Sequence, residues 1–187
     1  MAYPKTTSCR ILACGLAFAF AAVADASIAF FDLADTEYGS AEFSVIGSFQ
    51  TDAAGAEVTG FTLEQAVLQT YDNGGLPNWA SEAVLGFSVL LPSGEESIYF
   101  HLPFAETDGS GTYGPVDIQI DMAGAGYLVP ADGVITAYAL GSWDDGTDQP
   151  AGIWLQGELN VNYLPGPAPL AFLALAGMAS RRRRRGS

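Results

Sequence analysis

Apart from tyrosines, one histidine and twenty carboxylates make up the ionisable acid–base inventory of the long central stretch of this chain, Ser27 to Leu164. That stretch has no cysteine, lysine or arginine. A Cys–His pair is therefore impossible there, and a Ser–His–Asp set could draw only on His101. No Gly-x-Ser-x-Gly turn accompanies it. His101 sits in an alternating pattern between Phe100 and Leu102 and reads as a solvent-facing strand residue. Zinc hydrolysis needs several His or Cys ligands, and the supply is absent. A glycan hydrolase needs two carboxylates at a fixed separation, and nothing selects one pair among twenty.

Hard-cation chemistry has a better address. Asp144-Asp145-Gly146-Thr147-Asp148 puts three carboxylates on five residues, the oxygen-rich composition calcium takes. Asp144, Asp145 and Asp148 are the candidate metal ligands, and Glu106-Thr107-Asp108-Gly109 is a sparser second group. The twelfth position from Asp144 is Leu155, so this is not an EF-hand loop, and Asx turns alone also explain Asp and Gly here. Trp143 abuts the acidic loop and Trp79 lies in the loop before Ser81. Tryptophans beside carboxylates can stack on sugar faces or plug a core, so Trp79 and Trp143 are the candidate sugar contacts.

These residues need elements to hold them, and the period-two patterning points to strands. Apolar or alternating runs cover 28–33, 41–50, 57–70, 84–91, 98–104, 116–121, 133–141 and 153–163, separated by Gly, Asp, Asn and Pro. Within 41–50, Phe43, Val45, Gly47 and Phe49 are expected opposite Glu42, Ser44, Ser48 and Gln50. Within 98–104, Ile98, Phe100, Leu102 and Phe104 are expected opposite Tyr99 and His101, and within 57–70 a bulge is expected near Gly60. In the last run Ile153, Leu155, Leu159, Val161 and Tyr163 are expected on one face, with Gln156, Glu158, Asn160 and Asn162 on the other. The expectation is an all-β domain, an antiparallel β-sandwich or jelly roll of about eight strands. At 138 residues such a domain buries about two-thirds of its unfolded surface. It must do so without a disulfide, because Cys9 and Cys14 both precede it.

Positive charge is confined to the two ends. Lys5 and Arg10 precede the apolar run Ile11 to Ala24, and Ala24-Asp25-Ala26 fits a small-x-small cleavage site. Residues 1–26 read as a signal peptide with a helical core, too short to span a bilayer permanently. At the other end, Leu164-Pro165-Gly166-Pro167 breaks the last strand, 170–179 are apolar, and Arg181, Arg182, Arg183, Arg184 and Arg185 follow. Arginines after an apolar helix favour the cytoplasmic side, so residues 165–187 read as a sorting and anchor segment with a short membrane helix. Between them, 27–164 carry twenty of the twenty-one acidic residues and a formal charge of −20. That charge speaks against a nucleic-acid partner.

The order Pro-x-Pro, short apolar helix and arginine cluster resembles the PEP-CTERM sorting segment of exosortase-processed surface proteins, with Gly166 where that family has glutamate. The resemblance covers about Leu164 to Arg185. It implies an exported, non-enzymatic protein of the cell surface or extracellular matrix, held transiently or permanently at the inner membrane by its C-terminal helix. Its partners would be signal peptidase, an exosortase-type enzyme and exopolysaccharide. The alternatives are a calcium-assisted carbohydrate-binding module and, behind it, a glycan hydrolase.

Overall fold

The computed structural model describes residues 26–39, 42–73, 77–143 and 149–165. The expected signal helix and C-terminal membrane helix lie outside the described residues. The described chain is all-β apart from one short 3-10 turn, Ala80–Glu82. Its strands are β1 (Ser27–Asp32), β2 (Thr36–Gly39), β3 (Ser44–Gln50), β4 (Glu57–Thr70), β5 (Ala83–Leu90), β6 (Glu96–His101), β7 (Thr112–Asp121), β8 (Val134–Gly141) and β9 (Pro150–Leu164). The short β2 has no counterpart among the expected strands.

The strands form two antiparallel sheets. The larger runs β1-β9-β4-β7, with β2 also paired to β9, and the smaller runs β3-β8-β5-β6. One core cluster draws on strands of both sheets. Phe61 on β4 joins them most directly. Its ring centroid lies 5.8 Å from Phe87 on β5, 5.8 Å from Tyr99 and 5.3 Å from His101 on β6. Fully burying an aromatic or aliphatic side chain of this kind is worth about 1.5–3 kcal/mol relative to exposure.

Two of the expected face assignments are corrected by bulges. Register slips between Val45 and Gly47 in the β3–β8 pairing, which turns Val45 outward and lets Ile46 and Phe49 pack on the core. A second slip falls between Glu64 and Val67 in the β4–β9 pairing, where Gln65 (φ 50°) and Ala66 together oppose Gly157. A further slip between Val67 and Leu68 leaves Leu155 as the extra residue on β9, between Gln156 opposite Val67 and Trp154 opposite Leu68. Leu159, Val161 and Tyr163 point inward as expected, but Leu155 is exposed and Trp154 is fully buried in its place. The expected irregularity near Gly60 is present as a slip between Val58 and Gly60.

His101 is the third correction. It is half-buried beside Phe61 instead of facing solvent, and Phe100 takes the outer face. Alternation fixes a period but not its phase, and the ring bodies of Tyr99 and His101 are apolar enough to line the core.

Gly157 is a point of close approach. It holds φ +129°, and a Cβ there would meet Ala66 Cα at 2.7 Å. Gly157→Ala should therefore cost roughly 1–3 kcal/mol, read as a lower denaturant midpoint. Gly47→Ala, whose methyl would meet only Phe31 Cδ1 at 3.7 Å, should leave the midpoint nearly unchanged. Equal losses in both variants would rule out the backbone clash as the cause.

Burial pulls the His101 pKa below the usual 6.5, because the charged imidazolium loses hydration. The unfolded chain then binds the proton more readily than the folded one. Its stabilising contribution is complete above pH 6.5 and falls as pH drops below that value. Between pH 7.5 and 5.5 the melting temperature of the native protein should drop. In His101→Phe that pH-dependent drop should shrink; an undiminished drop would assign it to other groups.

Candidate functional site

The connections fall at two ends of the sandwich. Links 51–56, 91–95 and 122–133 meet at one end, where Thr51 N–H donates to Gly133 O at 2.8 Å and Gly55 N–H to Val129 O at 3.0 Å. At the other end the described residues of the links 71–82, 102–111 and 142–149 come together. There Ser81 N–H donates to Thr107 O at 2.9 Å, Ala80 N–H to Gly109 O at 3.4 Å and Ser142 N–H to Glu82 O at 2.8 Å. Asn73 Nδ2 reaches Pro150 O at 3.1 Å, and Tyr71 N–H reaches Ala151 O at 3.0 Å.

This second end collects most of the residues singled out in the sequence. Trp79 immediately precedes the 3-10 turn, and its N–H donates to the Glu82 carboxylate at 3.2 Å. Trp143 follows Ser142, which hydrogen-bonds the Glu82 carbonyl, so the two tryptophans flank Glu82 on neighbouring loops. They are 41% and 66% exposed, which excludes the core-plug alternative for both. Glu106 and Asp108 are exposed on the third loop, where Asp108 Oδ1 accepts from Ser81 Oγ at 3.3 Å. Asp144, Asp145 and Asp148 lie outside the described residues, although Trp143 and Gln149, which border them, are at this end. Among the described residues, no group of three or more His, Cys, Asp or Glu could hold a metal ion.

Beneath the loops lies Tyr38 of β2, which the sequence reading passed over. Burial raises its pKa far above the ordinary tyrosine value, and Glu82 and then Tyr71 add to the shift. Its hydroxyl and the Trp154 Nε1 are buried without hydrogen-bond partners among the described residues. The phenol thus stays neutral within electrostatic range of Glu82.

A second concentration of charge lies on the outer face of the larger sheet. Asp32, Glu158 and Glu64 are consecutive cross-strand partners on β1, β9 and β4. They border an open groove of about 440 Å³, also lined by Phe30, Gln65 and Gln156. Like charges opposed across strands destabilise a sheet. Pro165 is at the exit of β9; Gly166, Pro167 and Arg181 to Arg185 lie outside the described residues. Among the described residues no helix is long and apolar enough to cross a membrane, and this says nothing of the apolar segments at the two ends.

The chain matches no protein-family model and is similar to no curated protein. Among solved structures it is similar to chains of infectious bursal disease virus. The Gx strain structure has 17% identity over 78% of this chain and 34% of that one, with a TM-score of 0.37. The Gt strain structure has 17% identity over 78% and 35%, with a TM-score of 0.38. The chain spans about a third of the length of these viral chains.

Twenty acids without an internal cation repel one another, most directly along the Asp32–Glu158–Glu64 row. Added sodium chloride should raise the melting temperature by screening, and Glu158→Gln should raise it and reduce the salt response. Calcium at matched ionic strength should raise it further if Asp144, Asp145 and Asp148 bind it, by about RT ln(1 + [L]/Kd). That excess should vanish in the Asp144/Asp145/Asp148→Asn variant. Equal rises in both salts would reject the calcium site.

Proposed function

We propose that this chain is an exported, non-enzymatic protein of the cell surface or extracellular matrix, made of an acidic jelly roll with a leader before it and a PEP-CTERM-like sorting segment after it. The observation that carries this reading is the segregation of charge. All seven basic residues lie outside 27–164, and the strands of the sandwich begin at Ser27 and end at Leu164. The apolar and basic segments thus precede and follow the strands in sequence. The strand order supports the finer fold assignment: β1-β9-β4-β7 facing β3-β8-β5-β6 is the arrangement of two interleaved Greek keys. The lack of cysteine and lysine between 27 and 164, with a single histidine there, supports a non-enzymatic role. Signal peptidase, an exosortase-type enzyme and exopolysaccharide are the partners this reading requires.

A second reading, calcium-assisted carbohydrate binding, draws on the loop end. Trp79 and Trp143 are exposed on adjacent loops with Glu106 and Asp108 close by on the third. Aromatic faces beside carboxylates suit a sugar's C–H face and hydroxyl rim respectively.

The sorting reading makes a mass prediction. Protein extracted from the surface of the producing cell should begin at Ser27 and end between Pro165 and Pro169 by intact mass spectrometry. Mature material still carrying Arg181 to Arg185 would replace the sorting segment with a simple C-terminal anchor.

A further inference from the structure

We infer that the outer face of the smaller sheet is a binding platform for a neutral glycan, on a surface separate from the loop tryptophans. Four residues form one row across this sheet. Val45 on β3 opposes Tyr138 on β8, Tyr138 opposes Gly86 on β5, and Gly86 opposes Phe100 on β6. Gly86 leaves a gap in the row that Phe100 fills. A Cβ at Gly86 would lie 2.8 Å from Phe100 Cδ1 and 2.7 Å from the Tyr99 carbonyl oxygen, so the ring rests close against the glycine. Phe43, just ahead of β3, closes over the row. Its ring stacks on Phe100 at 5.9 Å with 19° between planes, and meets Tyr138 edge-on at 5.7 Å.

This cluster is ordered yet uncovered. Phe43 is 49% exposed, Phe100 43% and Val45 62%. Rings held in fixed mutual geometry on a sheet face, with half their area in water, give a partner a pre-formed apolar surface at little entropic cost.

Tyr138 connects the rings to polar chemistry. It also borders a groove of about 180 Å³ lined by Ser88, Glu96, Asp132 and Thr136. Asp132 uses Oδ1 to accept Val134 N–H at 2.9 Å, and Ser88 Oγ accepts from Thr136 N–H at 2.9 Å, so both side chains are fixed in place. The groove is smaller than the roughly 300–1,000 Å³ of a drug-sized site. It suits one sugar ring, with the next ring of a chain lying on Phe100 and Phe43.

Charge narrows the ligand class. The domain has no Lys or Arg and a formal charge of −20, so it repels uronate or sulfate polymers, and it also repels a second copy of itself. A neutral pyranose offers a C–H face to the rings and hydroxyls to Glu96, Asp132, Ser88 and Thr136. The inference depends neither on tail processing nor on calcium.

The test is native affinity electrophoresis of the full-length exported protein through gels containing neutral glucan, mannan, xylan or galactan, with polygalacturonate as the charged control. At least one neutral polymer should retard the protein, and polygalacturonate should not. Phe100→Ala and Glu96→Gln should each weaken retardation at least tenfold, while Trp79→Ala and Trp143→Ala keep it. Phe43→Ser, which changes a residue outside the strands, replaces Phe100→Ala if the latter does not fold. The inference is overturned by no retardation in any of the four neutral polymers. It is equally overturned by retardation that survives loss of the rings, or by sedimentation showing a dimer that those same variants dissolve.

Discussion

Apolar burial has to hold this sandwich together with no lysine or arginine of its own to pair with its acids. Between Ser27 and Leu164 no lysine or arginine faces the twenty carboxylates, and His101 is the one side chain there that could carry positive charge. Burial lowers the pKa of that histidine and so disfavours the charge. The acids are used differently, as acceptors for backbone N–H groups at turns. Asp32 takes Ala34 N–H, Asp121 takes Ala123 N–H, and Glu57 takes Gly124 N–H across a long sequence separation. Asp117 holds the bulge, accepting Gln65 N–H at 2.7 Å. Carboxylates thus settle loop and bulge geometry while the rings around Phe61 join the sheets.

Much of the fold was legible because antiparallel strands with one wet face write an alternating pattern. The runs that became β4, β5, β7, β8 and β9 could be read directly, as could the irregularity near Gly60. What could not be read was phase. A bulge adds one residue to one strand, and every side chain beyond it changes face. Trp154 and Leu155 exchange roles for this reason, and so do Val45 and Ile46. β2 escaped notice because four residues carry too little alternation to stand out, although buried Tyr38 is among them. Gly157 held a usable signal, since an isolated glycine in a strand pattern marks a bulge or a close approach.

The candidate sites differ in the same way. Trp79 and Trp143 were found because loop tryptophans beside acids are conspicuous, but their meeting at one end is a product of topology that single-residue reasoning does not reach. The Phe43–Phe100–Tyr138 cluster was missed because its members lie on three separate segments and Phe100 was assigned to a uniformly apolar face. Gly86, inside an otherwise apolar strand, was the clue to a ring crossing the backbone. Aromatic residues therefore serve two purposes in this protein: an inner set joins the sheets, and an outer set remains available to a partner.

The position of β9 has a mechanical consequence. It lies between β1 and β2 on one side and β4 on the other, and Leu164 leads directly into Pro165. Its 15 residues, at about 3.3 Å each, run about 50 Å from the loop end to the chain exit. A tether beyond Pro165 and a load gripped at the loop end would therefore pull along one strand. Ladder hydrogen bonds lie across that direction, so the load would shear the β1–β9 and β9–β4 ladders together instead of opening them one bond at a time. Because Ser27 pairs with Tyr163, the first strand is clamped at the same end, and tension on the tether is shared between the edge strand β1 and the interior strand β4.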